Sequence, residues 1–169
     1  DHVRHLAGSD SLTGLGNYRT FVHVMESEIQ RSQRTGRSFA LLLMDLDGLK
    51  QINDRHGHLV GSRAICRLGN VLRVSSRIMD TAARYGGDEF ALVLPEATAR
   101  AAQLVGQRIS ERLASDGEEP RVTVSVGTAV YPQDGLTMDE MLGAADRALY
   151  GMKRRDERVM SLARIPVCT

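Results

Sequence analysis

Apolar residues at Phe21, Val24, Met25 and Ile29 recur at helical spacing, which predicts an amphipathic helix from Asn17 to about Thr35, capped by Asn17 and stopped by Gly36. The next stretch, "SFALLLMDLD", is a short apolar run bounded by Gly36 and Gly48 and reads as a buried strand. Beyond it, "LKQINDRHGHLVGSRAICRLGNVLRVSSR" carries Ile65, Leu68, Leu72 and Ile78 in rough helical period, with Gly57 as a break near its start and a turn at 79–81. "TAARYGGDEFALVLP" has the form of a β-hairpin whose Gly86-Gly87 dipeptide suits the positive φ of a tight turn, and Pro95 stops its second arm. An alanine-rich helix ("TARAAQLVGQRISERLAS"), a β-branched strand ("RVTVSVGTAVYP") and a last helix ("TMDEMLGAADRALYGMKRR") complete the chain. The order predicts an α/β fold in which one sheet carries helices, without internal repeats or low-complexity segments.

Composition narrows the class. The 169 residues suit one domain with one sizeable core. A hydrophobic share of 42%, a charged share of 25% and a net charge of +1 describe an ordinary globular protein, with no strong field toward a nucleic acid polymer or a membrane. The longest apolar runs are too short to cross a bilayer and no secretory signal pattern opens the chain, so a cytoplasmic domain is expected. Cys66 and Cys168 make no disulfide framework. His56 and His58 would point to different sides of a helix, which disfavours a zinc pair. The chain starts at Asp1 and reads as a piece of a longer protein: residues 1–9 end an upstream linker, 10–160 form the domain and 161–169 a tail.

The chemistry concentrates in carboxylates at strand ends. Asp45 and Asp47 close the first strand on one face, and Asp88 and Glu89 sit at the hairpin turn. If those strands are neighbours, up to four carboxylates converge, and their repulsion calls for cations; hard oxygen ligands of this kind suit magnesium together with substrate phosphates. Acidic residues at turns also cap and solvate without further purpose. No GxxxxGK[ST] pattern occurs, so a nucleotide would have to be held in some other way.

Five ordered motifs carry a resemblance. "DSLTGLGNYR", "MDLDGLKQINDRHGHLVG", "RYGGDEF", "VTVSVGTA" and "ADRALYGMK" resemble, at matching spacing over nearly the whole chain, the GGDEF domain of bacterial diguanylate cyclases, with Tyr18 where arginine is usual. The resemblance implies a palm-like fold similar to nucleotide cyclases and polymerases: a central mixed sheet with flanking helices and a β-hairpin carrying the signature. It also implies two such domains meeting as a homodimer, each holding one nucleoside triphosphate, under the control of an upstream sensory domain. Two divalent ions, magnesium or manganese, would serve each active site, with Asp45, Asp88 and the Leu46 carbonyl as ligands. Asp88 or Glu89 would assist deprotonation of the attacking hydroxyl. Gly86 and Gly87 would admit substrate close to the backbone. Asn53 would bond the base, His58 would support that segment, and Lys50 and Lys153 would meet the phosphates.

Two departures from the family pattern matter. Ser62 stands where aspartate usually accepts from the guanine N1–H and amine; a hydroxyl can donate or accept, so serine serves adenine as well as guanine. This resembles the hybrid promiscuous (Hypr) subset, which uses GTP and ATP to make 3′,3′-cyclic GMP-AMP. The alternatives are an ordinary GTP-only enzyme making cyclic di-GMP, and a degenerate domain that only receives nucleotides. The second departure comes after Lys153, where "RRDER" puts Glu157 in place of a phosphate-binding arginine, leaving Arg154, Arg155 or Arg158 to reach instead. Upstream of the hairpin, "RIMD" resembles the family's RxxD inhibitory site for cyclic dinucleotide product, with Arg77 and Asp80 as contacts and Arg108 as a secondary one.

Overall fold

The computed structural model describes residues 8–163; the proposed tail and Cys168 lie mostly or wholly outside the described residues, as does most of the proposed linker. The elements run α1 (Tyr18–Thr35), β1 (Phe39–Leu46), α2 (Leu49–His56), α3 (His58–Ser75), β2 (Thr81–Arg84), β3 (Glu89–Pro95), α4 (Ala99–Ala114), β4 (Val124–Tyr131) and α5 (Met138–Ala163). Asn17 caps α1 by accepting from the Thr20 amide, and Gly36 ends it in the left-handed region at φ 72°. Gly57, at φ 89°, separates α2 from α3 where the sequence places a break. No described helix is long and apolar enough to cross a membrane.

The strands form one sheet in the order β2-β3-β1-β4. All three pairings are antiparallel, which corrects the expectation of a mixed sheet; the parallel contact is an isolated bridge from Gly16 to Ala83 at the β2 edge. The reason lies in the connections: the hairpin reverses direction between β2 and β3, and each longer crossover returns its strand opposite to its neighbour.

The sheet is the middle of three layers. Even-numbered residues of β1 (Ala40, Leu42, Met44, Leu46) pack with Ala64, Leu68 and Leu72 of α3 and Ile109 of α4. Odd-numbered ones (Phe39, Leu41, Leu43) pack with Phe21 and Met25 of α1 and Met141 and Leu149 of α5. Coverage on both faces explains why β1 is apolar without alternation. Truncating Leu42, fully buried, to alanine would cost about 3 kcal/mol.

Local contacts fix how α5, the β4 edge and α3 are placed. A Cβ added to Gly127 would overlap the Ala145 carbonyl and the Leu149 amide, so α5 seats directly on β4 there. At the outer edge of β4 the Val126 amide donates to Met152 Sδ (3.3 Å) and the Val130 amide to Asp134 Oδ2 (2.7 Å). On α3, the buried Arg67 grips the loop before β4, bonding both Asp116 oxygens (2.8 Å each) and the Pro120 carbonyl (2.7 Å).

Candidate active site

Strand register brings the acids together. Asp45 is the direct partner of Glu89 across β1–β3 and of Ser125 across β1–β4. Like charges directly opposite repel. The offset comes from α5: one turn beyond Leu149, which α5 seats against Gly127, Lys153 reaches the sheet and its Nζ pairs with Asp45 Oδ2 at 2.8 Å. Burial disfavours the ammonium, but the bond to Asp45 and the charges of Asp45, Asp47 and Asp88 outweigh it and hold the Lys153 pKa above its usual value.

Among the described residues Glu89 makes no such ion pair. Burial first, then the charges of Asp45, Asp88 and Asp146, raise its pKa above the ordinary glutamate value, with Lys153 offsetting part of the effect. Tyr85 responds in the same way: burial, followed by Glu89, Asp45, Asp146 and Asp88, pushes its hydroxyl far up, so it keeps its proton. Its ring stacks on Phe21 with centroids 5.5 Å apart. Between sheet and α5 lies a cavity of about 320 Å³ lined by Leu43, Asp45, Tyr85, Glu89, Asp146 and Leu149, among others.

The fourth carboxylate is therefore not the one expected. Asp47 accepts from Thr123 Oγ1 (2.8 Å) and Ser125 Oγ (2.6 Å) and is engaged by β4, while Asp146 of α5 takes part in the cluster around Glu89. Asp146 and Tyr85 are not among the residues that the sequence singles out. The available signal is that Asp146 lies seven residues before Lys153, two turns away on the same helix face.

The hairpin tip also differs from expectation. Neither Gly86 nor Gly87 takes a left-handed φ, because residues 85–88 form a four-residue loop rather than a two-residue turn. The Tyr85 and Gly86 amides both converge on the Glu89 carbonyl (3.1 and 3.4 Å). Gly86 is required by proximity: an added Cβ would stand 2.7 Å from Glu89 Oε2. Gly87 faces open space, with no atom within 4 Å of where a Cβ would be.

The segment expected to bond the base forms at the junction of α2 and α3. Gly48, left-handed at φ 68°, starts α2, and Lys50 is exposed in its first turn. Gly61 is buried, and a Cβ there would overlap Asn53 Oδ1, so Asn53 packs directly against the residue preceding Ser62. Asn53 and Ser62 are both half-buried; His58 is exposed at the start of α3. Glu157 lies in the final turns of α5, its side chain outside the described residues.

In the "RIMD" stretch, the two residues expected to form an inhibitory site engage each other. Arg77 donates to Asp80 through Nη2 (2.9 Å) and its backbone amide (2.7 Å), and its Nη2 also reaches the Pro95 carbonyl (2.9 Å). The Asp80 side chain is 1% exposed and the Arg77 side chain 50%. The buried Asp80 carboxylate thus orients the Arg77 guanidinium. Arg108 is exposed on α4.

The residues present suit a divalent metal. Among the described residues no group of three or more His, Cys, Asp or Glu side chains is arranged to hold an ion. The expected ligands, two carboxylates and the Leu46 carbonyl, need no third acid; one or two carboxylates completed by substrate phosphates are how magnesium is commonly bound.

Compared with known proteins, the sequence matches the family described as diguanylate cyclase, GGDEF domain, over residues 7–158. It is 40% identical over 152 residues to the bifunctional diguanylate cyclase/cyclic di-GMP phosphodiesterase MucR of Pseudomonas aeruginosa, covering 88% of this chain and 22% of that protein. To diguanylate cyclase DgcM of Escherichia coli it is 35% identical over 155 residues, covering 90% and 38%. The chain spans about a fifth to two fifths of the length of these curated relatives. Among solved structures, diguanylate cyclase SiaD of Pseudomonas aeruginosa in complex with its activator SiaC superposes with a TM-score of 0.83 at 33% identity, over 91% of this chain and 61% of that one. The coiled coil and GGDEF domain of DgcB from Caulobacter crescentus in complex with c-di-GMP gives 0.82 at 28%, over 90% and 84%.

Proposed function

The chain belongs to the diguanylate cyclase GGDEF family, and on that premise we propose that it is a dinucleotide cyclase, condensing two nucleoside triphosphates into a cyclic dinucleotide second messenger. The observation that carries the proposal is the register pairing of Asp45 with Glu89, with Lys153 beside them. Each nucleotide's ribose 3′-hydroxyl attacks the α-phosphorus of the other, a P–O bond forms, the bond to the β-phosphate oxygen breaks and pyrophosphate leaves. Because two nucleotides must meet, two copies of the chain are required, one triphosphate on each.

The position of each residue supports a role for it. Glu89, whose pKa burial and the neighbouring acids raise, takes the hydroxyl proton on this reading, with Asp88 beside it. Lys153 and Lys50 counter the triphosphate charge, and the open side of Gly87 gives the phosphates room. Two divalent ions, magnesium or manganese, when held by Asp45, Asp88 and the Leu46 carbonyl, would neutralise charge on the transferring phosphoryl group.

Ser62 sets the bases joined. A hydroxyl at this position leaves neither adenine nor guanine facing an opposed lone pair, so the enzyme accepts ATP as well as GTP and makes 3′,3′-cyclic GMP-AMP together with cyclic di-GMP. The test is mass spectrometry of products from equimolar ATP and GTP with magnesium. Mixed product is expected, shifting toward cyclic di-GMP in Ser62→Asp; cyclic di-GMP alone from the unaltered chain overturns the promiscuous reading. No product sensitive to Asp88→Ala would leave a nucleotide receptor instead.

Product also restrains the enzyme at Arg77, whose half-exposed guanidinium is held by Asp80 for a cyclic dinucleotide, with Arg108 as a second contact. Arg77→Ala should raise turnover late in a reaction without altering the initial rate; unchanged progress curves would remove this part of the reading.

A further inference from the structure

We propose that Arg84 is a positioning residue for the acid pair, and that with Asp10 it braces the N-terminal loop against the tip of the hairpin. The Arg84 guanidinium has two sides and uses both. Its Nε and Nη2 donate to the Gly87 carbonyl at 3.1 and 2.9 Å, and its Nη1 donates to the two Asp10 oxygens at 3.0 and 3.3 Å. Both side chains are largely shielded, Arg84 at 17% exposure and Asp10 at 16%, so solvent and salt screen this pair less than one on the surface.

Each end of the brace is itself anchored. Asp10 accepts from the Thr13 amide (2.8 Å) and hydroxyl (2.7 Å), and its own amide donates to the Leu15 carbonyl at 2.7 Å. Thr13 and Arg84 together outweigh burial and keep the Asp10 carboxyl below its usual pKa. The loop then docks on β2: the Gly16 amide donates to the Ala82 carbonyl (3.1 Å) and the Arg84 amide to the Gly16 carbonyl (2.8 Å). At the other end, the ladder between β2 and β3 stops at Arg84–Phe90. Among the described residues, the side-chain hydrogen bonds to the loop 85–88 are the two from Arg84. Gly87 touches nothing else near where a Cβ would sit, and Asp88 is the next residue. A carbonyl one residue before Asp88 is thus held by the last residue of the hairpin's own first arm, whose guanidinium is tied on its other side to a loop 74 residues earlier in the chain.

Lysine cannot do the same work. A single ammonium on a flexible stem can serve Asp10 or Gly87, whereas the planar fork serves both at once. The brace rests on the proposed chemistry for its consequence in turnover, but its geometry can be tested without it.

The experiment compares the full chain with Asp10→Ala, Arg84→Lys, Arg84→Ala and the double variant Asp10→Ala/Arg84→Ala. Amide hydrogen exchange is measured at Tyr85 and Gly86, which bond the Glu89 carbonyl, and at β1. Exchange at the tip is expected to rise about tenfold in each single variant while β1 changes less than about twofold. With GTP and magnesium, kcat should fall roughly tenfold to a hundredfold with KM little changed, and the double variant should be no worse than Arg84→Ala. Unchanged tip exchange, or tip and β1 protection falling together, would overturn the brace. A chain without turnover, its tip still loosening selectively, would fail the proposed function and leave the brace standing.

Discussion

Asp45 and Glu89 terminate strands whose other residues are buried, while Asn53 and Ser62 stand on a helix pair of which α2 buries no residue. In the first region, position is dictated by register: moving Asp45 would drag a core strand with it, and a one-residue slip would turn its apolar set to the wrong face. In the second, position depends on Gly57, which breaks the helix, and Gly61, which lets Asn53 pack close. The comparison teaches that the proposed reaction chemistry rests on the part of the fold least free to change, and the proposed base choice on a part where one side chain can be exchanged without disturbing the sheet.

The largest effect should come from the rigid region. Asp88→Ala is expected to lower product formation from labelled GTP by roughly a thousandfold while leaving thermal stability nearly unchanged; retained activity would break the assignment of chemistry to this end. Next, Gly61→Ala should displace the Asn53 side chain, raising the nucleotide KM roughly tenfold with kcat changed less; an unaltered KM would show that Asn53 does not read the base. Smaller still, Ser62→Asp should alter the ratio of mixed product to cyclic di-GMP by about tenfold without lowering total turnover by a similar factor, measured by mass spectrometry.

The smallest effect concerns how α3 is held. Arg67 bonds Asp116 through both oxygens, and these bonds keep the Asp116 carboxyl below its ordinary 3.8. A depressed folded-state pKa stabilises above the unfolded value, and the contribution is lost as pH falls through the folded one. Asp116→Asn should therefore lower stability at pH 7 by about 2 kcal/mol, with the gap closing below pH 3.8. Thermal melts across that range check the sign, and a constant gap would refute it.

Local signals in the sequence are enough for most helices and strands, because burial on one or both faces leaves a period in the residues; α2, which buries no residue, is legible only through the Gly57 break that parts it from α3, and α3 ends at Ser75, short of Ile78. The last helix runs past the expected Arg155 to Ala163, since "DERVMSLA" contains neither glycine nor proline to stop it. The acid site is legible in its strand-end residues, Asp45 and Glu89, because their placement is set by the ends of two strands. Asp146 is less so, since which helix covers that end of the sheet depends on tertiary packing. Asp47 departs from expectation for a related reason: alternation gives the face of a side chain, while the hydroxyls of Thr123 and Ser125 on another segment decide what it bonds. The positive φ expected at Gly86-Gly87 occurs instead at Gly48 and Gly57, where helices begin or break. Asp10 and Arg84 carry no local pattern that would join them.

The Gly16 bridge on β2 and the Met152 and Asp134 contacts on β4 occupy hydrogen-bonding groups along both outer strands of the sheet. A second copy could not continue the sheet by strand addition without first breaking these contacts. On the proposed reaction, two copies joining their nucleotides would therefore approach through loops and helix faces, an arrangement that can separate again after each product is made. The same obstruction works against open-ended stacking of chains into fibrils, so the domain can be brought to high local concentration with less risk of aggregation.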